Sequence, residues 1–244
     1  MIKNKTILVA GANGLLGQAL VKSILNHGGR VVALDIGPFS SSETQNGLIY
    51  KQLDINNPEH LKTLFNDPIK IDGAVNCAYP RNSNFGKPFF EVQLEDFNEN
   101  ISLNIGSTFL FSKTCAKYFN ENKTPFSLVN IGSIYGVKSP NFEIYNNTKM
   151  TMPIEYSAIK SSILHLNKYI AAFINDSNFR INAVSPGGIE DGQDIRFKDE
   201  YKRHTFGRGL LAPQDVCGAI VFLLSDYSNF INGQNIVVDD GFTI

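Results

Sequence analysis

Residues 6–17 read TILVAGANGLLG and carry the strongest structural signal in the chain. An apolar, β-branched run leads into glycines at positions 11, 14 and 17, and a helical pattern follows directly. Glycines at this spacing allow a tight turn, let the backbone approach a diphosphate closely and bring the helix against the strand. The N–H groups at the start of that helix attract anions. The segment therefore predicts a strand, a phosphate-binding loop and a helix.

The rest of the chain repeats this alternation of strand and helix. Runs rich in β-branched residues predict strands at 6–10, 30–35, 50–54, 73–77, 127–132, 180–185 and 235–239. Apolar residues at three- and four-residue spacing predict helices at 15–27, 58–65, 94–119, 156–174 and 213–225. We therefore expect one domain over residues 1–244 with a doubly wound, Rossmann-like α/β fold, in which helices flank both faces of a seven-stranded parallel sheet. Residues 139–153 and 187–211 fit neither period.

The composition restricts the class of partner. Lys and Arg total 22 against 23 Asp and Glu, so a net charge of −1 gives no basic field for nucleic acid or a membrane surface. Cys77, Cys115 and Cys217 lack the spacing of a disulfide framework or a metal site, which favours free thiols and no metal. Because we find neither a signal-peptide pattern nor an apolar run of about 20 residues, we expect a cytoplasmic protein.

Two acidic residues end predicted strands near the glycine loop. Asp35 ends the second strand, where a carboxylate accepts hydrogen bonds from the adenosine ribose hydroxyls and repels a 2′-phosphate. This favours NAD over NADP, and the alternative is that Asp35 only caps the next turn. Asp54 ends the third predicted strand, where it either contacts the adenine amino group or acts as a cap.

Tyr156 and Lys160 lie four residues apart and share one face of the predicted helix 156–174. A phenol with a pKa near about 10 exchanges protons poorly at neutral pH, and a nearby ammonium lowers that pKa by favouring the phenolate. The pair suits proton transfer to or from an alcohol or carbonyl oxygen. In isolation, the same spacing is equally typical of two surface side chains.

Together, these motifs resemble the short-chain dehydrogenase/reductase family in its single-domain form, over almost the whole chain. The likeness also includes Asn76-Cys77-Ala78, Asn104, Ser133, the segment 180–187 and the closing segments 232–234 and 239–241. The resemblance implies that Tyr156 is the general acid/base, that Lys160 holds the nicotinamide ribose and tunes the tyrosine, that Ser133 hydrogen-bonds the reacting oxygen and that Asn104 helps place a relay water. It implies cofactor contacts from Gly11, Asn13, Gly14, Leu15, Leu16, Gly17, Asp35, Asp54, Ile55, Asn76, Ala78, Tyr156, Lys160, Pro186, Gly187 and Ile189.

The same resemblance implies self-association. The predicted helix 94–119 carries Phe109, Phe111, Tyr118 and Phe119, and the corresponding helix often forms the dimer interface in this family. A homodimer or homotetramer is therefore expected.

Several positions depart from the family pattern. The glycine spacing is that of the two-domain epimerase and dehydratase branch, although the length after Pro186 is short for a separate substrate domain. The family's Asn-Asn-Ala-Gly is replaced by Asn76-Cys77-Ala78-Tyr79, followed by Pro80 and Arg81. Arg81 either binds an acidic or phosphate-bearing substrate or lies on the surface. The family's threonine after Pro-Gly is absent from residues 188–192, so carboxamide anchoring there is left open.

Two tyrosines compete for the catalytic role. Ser133 precedes Tyr156 by 23 residues, whereas Tyr145, with Lys149 four residues later, matches the shorter spacing of the family. The asparagines after Tyr145 and the proline at position 153 are poor helix material, so a rigid pair is not expected there. We therefore prefer Tyr156 and predict that residues 139–153 form one wall of the substrate pocket.

The sequence thus predicts an NAD-dependent oxidoreductase that interconverts a hydroxyl and a carbonyl. Residues 132–136, Met152-Pro153 and the ending Asp239-Asp240-Gly241 are similar to short-chain enzymes of bacterial surface-sugar and flagellin-glycan pathways, which implies a small polar substrate such as a sugar or sugar phosphate. The alternatives are an epimerase or dehydratase that retains its NAD and an NAD(H)-binding module without catalysis. We predict that residues 196–203, of mixed charge, form a solvated, mobile lid segment.

Overall fold

The computed structural model describes residues 1–39 and 46–244. In this part of the chain a parallel sheet of seven strands has the order β3-β2-β1-β4-β5-β6-β7. The strands are β1 (Thr6–Ala10), β2 (Arg30–Asp35), β3 (Leu48–Gln52), β4 (Gly73–Asn76), β5 (Phe126–Ile131), β6 (Phe179–Pro186) and β7 (Asn235–Val238). The predicted Rossmann-like architecture is confirmed.

Helices cover both faces of this sheet. They are α1 (Leu15–Asn26), α2 (Pro58–Phe65), α3 (Leu94–Ile101), α4 (Ser107–Asn122), α5 (Ile154–Ile174), α6 (Ile195–Arg203) and α7 (Pro213–Leu224). One apolar core lies between the sheet and α1 with α7, and a second lies between the sheet and α2, α4 and α5. The central strands are buried along their length, which explains why their sequences are continuous apolar runs.

The strand order places the ligand crevice. β1 pairs with β2 on one side and with β4 on the other, so the direction of winding changes between β1 and β4. In such a sheet the connections leave a crevice outside the carboxyl ends of the strands at this point. The glycine loop after β1 and the segment after β4 both begin at this crevice.

Most predicted elements agree with the structure to within two residues at each end, and two differences have a clear physical reason. The predicted helix 94–119 is interrupted by a π-helical turn at Ser102–Gly106, between α3 and α4. One extra residue in a turn is not visible in an apolar pattern of three and four. The predicted strand 50–54 lies two residues earlier, as β3, because this edge strand is only partly buried and its apolar pattern is weak.

The prediction that residues 196–203 form a fully solvated segment is wrong, whereas their role as a lid stays a prediction. These residues form most of α6, whose first turn is capped by the Asp194 side chain accepting from the Arg196 N–H at 2.8 Å. Phe197 and Tyr201, four residues apart, are buried in a small aromatic cluster with Phe242. The many charged residues of this helix lie on its other faces and obscure this apolar side in the sequence.

Fewer aromatic side chains of the predicted helix 94–119 are exposed for self-association than the sequence suggests. Phe111, Tyr118 and Phe119 are buried in the core of this chain, whereas Phe109 is 47% exposed. The three cysteines are free, and Cys115 and Cys217 are buried. Within residues 1–39 and 46–244, no helix has both the length and the apolar character to cross a bilayer. The same residues contain no group of three His, Cys, Asp or Glu side chains placed to hold a metal ion.

Candidate active site

The glycine loop is built so that only glycine fits at its ends. Gly11 has φ +74°, and a Cβ there would lie 2.7 Å from the backbone nitrogen of Ala78. A Cβ on Gly17 would lie 2.1 Å from the carbonyl oxygen of Gly11. These contacts bring α1 and the segment after β4 against the loop, so the loop backbone forms one wall of the crevice.

A cavity of about 520 Å³ opens along this wall. Its size, the glycine backbone and the acidic residues at its far end fit an adenine dinucleotide. Pro80 and neighbouring apolar side chains complete its sides. The residues lining it include Gly11, Asn13, Gly14, Leu15, Leu16, Gly17, Asp35, Asp54, Ile55, Ala78 and Arg81.

The two acidic residues of this cavity have local partners as well. Asp35 accepts hydrogen bonds from the N–H of Asn13 at 2.9 Å and of Gly37 at 3.1 Å. Asp54 accepts from the N–H of Asn56 at 2.8 Å. Each carboxylate therefore caps a turn and also lines the cavity. Capping and ligand binding are thus compatible here, since a carboxylate offers about four acceptor positions.

A second cavity of about 440 Å³ adjoins the first. Both are lined by Leu15, Leu16, Cys77, Tyr79, Arg81 and Asp191. Residues 150–153 and Tyr145 form one side of it, so the predicted wall from segment 139–153 is present. Its remaining lining includes Ser133, Tyr156, Lys160, Pro186, Gly187 and Ile189.

Ser133, Tyr156 and Lys160 meet at the floor of the second cavity. Ser133 follows β5, and Tyr156 and Lys160 lie one turn apart in α5. Lys160 Nζ donates to the carbonyl oxygen of Ile131 at 2.8 Å and lies 5.6 Å from the centroid of the Tyr156 ring. A Cβ on Gly136 would lie 2.7 Å from the Lys160 backbone, so the turn after Ser133 packs directly on α5.

Burial determines the protonation of this group. It raises the pKa of the Tyr156 hydroxyl, and the hydrogen bond with Ser133 opposes that rise. It lowers the pKa of Lys160 to about 8, because the ammonium loses its hydration. The sequence predicts a lowered tyrosine pKa, whereas in the structure burial outweighs the Ser133 hydrogen bond and the pKa of Tyr156 is raised.

The geometry distinguishes the two candidate tyrosines. Tyr145 lies in the short 3₁₀ helix Phe142–Tyr145, and its hydroxyl donates to the Tyr135 hydroxyl at 3.3 Å. Lys149 is exposed. Tyr156, in contrast, lies beside a buried lysine and Ser133.

Two predicted site residues line neither cavity. The Asn76 side chain is buried, where it donates to Thr108 Oγ1 at 3.3 Å and accepts from the Ala78 N–H at 3.2 Å. The Asn104 side chain is buried in the π-helical turn and donates to the Pro80 carbonyl. Both asparagines hold the segment after β4 in place from below.

Tyr201 and Tyr79 line the second cavity and are outside the predicted set of site residues. The Tyr201 hydroxyl accepts a hydrogen bond from the Gly188 N–H at 2.7 Å and so ties α6 to the loop after β6. Tyr201 lies four residues after Phe197, and this apolar spacing is the sequence pattern that indicates α6. Tyr79 occupies a position where the family has glycine, and no local pattern indicates where its ring packs.

Comparisons with known proteins give likenesses over nearly the whole chain. A family model described as enoyl-(acyl carrier protein) reductase matches residues 9–243. The post-translational flagellin modification protein A of Campylobacter coli is 38% identical over 99% of this chain and 99% of its own length. The 2,5-dichloro-2,5-cyclohexadiene-1,4-diol dehydrogenase of Sphingobium indicum is 29% identical over 99% and 98%. A short-chain dehydrogenase structure from Leptospira borgpetersenii serovar Hardjo-bovis with bound NAD+ has a TM-score of 0.89 and 33% identity, covering 100% of this chain and 94% of that one.

Proposed function

The chain belongs to the short-chain dehydrogenase/reductase family, and from this membership we propose that it is an NAD-dependent oxidoreductase that interconverts a hydroxyl and a carbonyl on a polar, sugar-like molecule. Several relatives are named dehydrogenases or reductases, and together with the family this establishes oxidoreductase chemistry on a CH–OH group with a nicotinamide cofactor. The identity of the substrate and the roles of individual residues are the proposed part.

One observation carries the proposal. Tyr156, Lys160 and Ser133 line a cavity that shares a wall with the cavity at the glycine loop. A dinucleotide whose diphosphate lies at the loop would extend toward these three side chains. When bound, the nicotinamide ring supplies or accepts the hydride. The protein must therefore move one proton at the substrate oxygen, and the three side chains suit that task.

Each of the three side chains has a distinct part. Tyr156 exchanges the proton with the substrate oxygen. Ser133 donates a hydrogen bond to that oxygen and stabilises the charge that develops on it. Lys160 is held by the Ile131 carbonyl, and its ammonium favours the phenolate form of Tyr156 in the oxidative direction.

The preference for NAD rests on Asp35. Its carboxylate ends β2 and lines the first cavity, close to the glycine loop through its bond with the Asn13 N–H. A 2′-phosphate there would meet a like charge. The ribose hydroxyls of NAD would instead find an acceptor.

Two observations support a sugar-like substrate: the positive charge of Arg81 in the second cavity and the name of a relative. Arg81 lines both cavities, and no carboxylate of the described residues lies within ion-pairing distance of its guanidinium. An arginine in this state suits a carboxylate or phosphate on the substrate. The relative of 38% identity is named for the modification of flagellin, which fits an enzyme that prepares a polar modifying group.

A substrate panel tests the proposal. Purified protein with NAD+ is assayed by NADH absorbance on hexoses, hexose phosphates and apolar alcohols, and with NADH on apolar ketones. We expect turnover on hydroxylated substrates and its loss in Tyr156→Phe, with NADH binding retained. Net accumulation of NADH separates this reaction from that of an epimerase that returns the hydride. Turnover by Tyr156→Phe near the wild-type rate would overturn the proton-transfer assignment, and activity on apolar substrates alone would overturn the substrate class.

A further inference from the structure

An aromatic side chain outside the predicted catalytic set packs directly against it. The rings of Tyr79 and Tyr156 meet edge to face, with centroids 5.6 Å apart and an interplanar angle of 89°. Lys160 Nζ lies 5.4 Å from the Tyr79 centroid, closer than to the Tyr156 centroid. The ammonium therefore lies against two aromatic rings.

Tyr79 is also held from its other sides. Phe85 packs on it edge to face at 5.6 Å, and the Arg81 guanidinium carbon lies 5.4 Å from its centroid. The next residue, Pro80, accepts the hydrogen bond from the buried Asn104 side chain. The Tyr79 ring cannot turn away from Lys160 without breaking these contacts.

Apart from the two aromatic rings, few groups near Lys160 stabilise its positive charge. Burial lowers its pKa to about 8, so the ammonium charge is lost as the pH rises through about 8. The described groups that face the two residues are Cys77 just after β4, the Ile131 carbonyl from β5, Tyr156 and Glu155 from α5, and Arg81. The charge of Glu155 raises the pKa of Tyr79, although burial is the larger cause of that rise. No carboxylate of the described residues forms an ion pair with Lys160.

An aromatic face attracts a cation through its quadrupole, most strongly where both are desolvated. A ring beside Lys160 therefore stabilises the ammonium in a place where burial disfavours it. A charged Lys160 in turn favours the phenolate of Tyr156. Tyr79 can thus act on the proton-transfer group without contacting the reacting atoms.

We propose that Tyr79 is a positioning residue whose ring keeps Lys160 charged beside Tyr156. The inference rests on the proposed function for the roles of Tyr156 and Lys160. It requires the ring of Tyr79 and not its hydroxyl, so phenylalanine is expected to replace it and leucine is not.

The test follows the titration of Lys160 itself and needs no substrate. The full-length protein is prepared with lysine labelled at Cε and Nζ, and the NMR resonance of Lys160 is identified by its loss in Lys160→Arg. We expect Tyr79→Leu to move the Lys160 titration midpoint lower by about 0.5–1 pH unit, whereas Tyr79→Phe leaves it within about 0.2. Tyr118→Leu, which removes a buried ring far from the site, controls for lost packing and is expected to leave the midpoint unchanged.

A second series keeps the test decisive if Tyr79→Leu does not fold. Phenylalanines with one, two and three ring fluorines at position 79 keep the shape of the ring and weaken its quadrupole in steps, so the midpoint is expected to fall stepwise. The same midpoint in all variants, or equal shifts in Tyr79→Phe and Tyr79→Leu, would overturn the inference. Turnover by Tyr156→Phe would overturn the proposed function instead and would leave this titration intact.

Discussion

At the scale of single residues, the buried lysine of the site should reduce the stability of the fold. Burial lowers the pKa of Lys160 from 10.5 to about 8, so below pH 8 the folded chain carries a charge that it holds less well than the unfolded chain. We expect Lys160→Met to raise the free energy of unfolding at pH 7 by about 1–3 kcal/mol. Turnover should be lost in the same variant, because the methionine cannot support the Tyr156 phenolate.

The pH dependence of this effect has a defined sign. Between about pH 8 and 10.5 the unfolded chain binds the lysine proton and the folded chain does not, so wild-type stability rises with pH relative to Lys160→Met. The advantage of the variant should therefore be full below pH 8 and vanish near 10.5. Urea unfolding across this range measures it, with Lys168→Met, an exposed lysine on the same helix, as the matched control. A difference that does not change with pH would contradict the prediction.

A second residue-scale prediction concerns the choice of cofactor. Asp35→Asn removes the charge and keeps one of the two side-chain oxygens that accept from the N–H groups of Asn13 and Gly37. We expect the ratio of the Kd for NADPH to the Kd for NADH to fall by about tenfold or more, because the repulsion of the 2′-phosphate is lost. Fluorescence titrations with both cofactors measure the ratio, and Asp35→Glu, which retains the charge, should keep it high. An unchanged ratio in Asp35→Asn would leave Asp35 with its capping role alone.

Local spacing explains which site residues the sequence could predict. Tyr156 and Lys160 are one helical turn apart, so their shared face follows from the helix alone. The contact of Tyr79 with that pair depends on how the end of β4 packs against α5, and residues so distant in the chain leave no local pattern. The same holds for Asn104, whose side chain turns toward the Pro80 carbonyl because a π-helical turn interrupts the helix.

At the scale of elements, two glycine-to-alanine changes in helices should act in opposite directions. In α1, a Cβ on Gly17 would lie 2.1 Å from the Gly11 carbonyl oxygen, so α1 would have to move away from the loop. We expect Gly17→Ala to lower the free energy of unfolding by about 1–3 kcal/mol and to abolish NADH binding. In α7, a Cβ on Gly218 meets no atom within 4 Å.

Gly218→Ala therefore serves as the matched control. It should raise the free energy of unfolding by about 0.5–1 kcal/mol, since alanine is the better helix former, and leave NADH binding unchanged. Urea unfolding and NADH fluorescence titration on both variants check the pair. If Gly17→Ala bound NADH as the wild type does, the close contact of α1 with the loop would not be needed for the site.

Sequence patterns missed the elements whose apolar periodicity is hidden by other residues or is absent. In α6, the charges that surround Phe197 and Tyr201 lower the average apolar content, although the spacing of the two rings and the capping Asp194 both mark a helix. The segment before α5 has no period at all. Its place in the cavity wall follows from tertiary contacts such as the bond between Tyr145 and Tyr135.

At the scale of the whole molecule, the architecture could be predicted because few topologies satisfy alternating strands and helices. Right-handed crossovers and buried parallel strands leave the doubly wound sheet as the simplest arrangement. The glycine loop then places the crevice between β1 and β4. The surface that pairs with other chains is less constrained, because exposed aromatic residues occur on several faces of this molecule.

The α5 surface offers the clearest site for self-association. Tyr169 and Phe173 are 64% and 74% exposed, and their rings stack at 6.3 Å with an interplanar angle of 7°. Phe109 on the neighbouring α4 is also partly exposed. An apolar patch of this kind typically marks a protein interface, and a twofold axis would place the same patch on both copies.

We therefore expect the wild type to be at least a dimer and Phe173→Glu to dissociate it to monomers, because each interface would then bury two like charges without partners. Sedimentation velocity over a range of protein concentrations measures the change, and far-UV circular dichroism confirms that the variant is folded. Phe230 is fully exposed and lies outside α4 and α5, so Phe230→Glu is the matched control and should leave the dimer intact. Dissociation by Phe230→Glu and not by Phe173→Glu would place the interface on another face of the molecule.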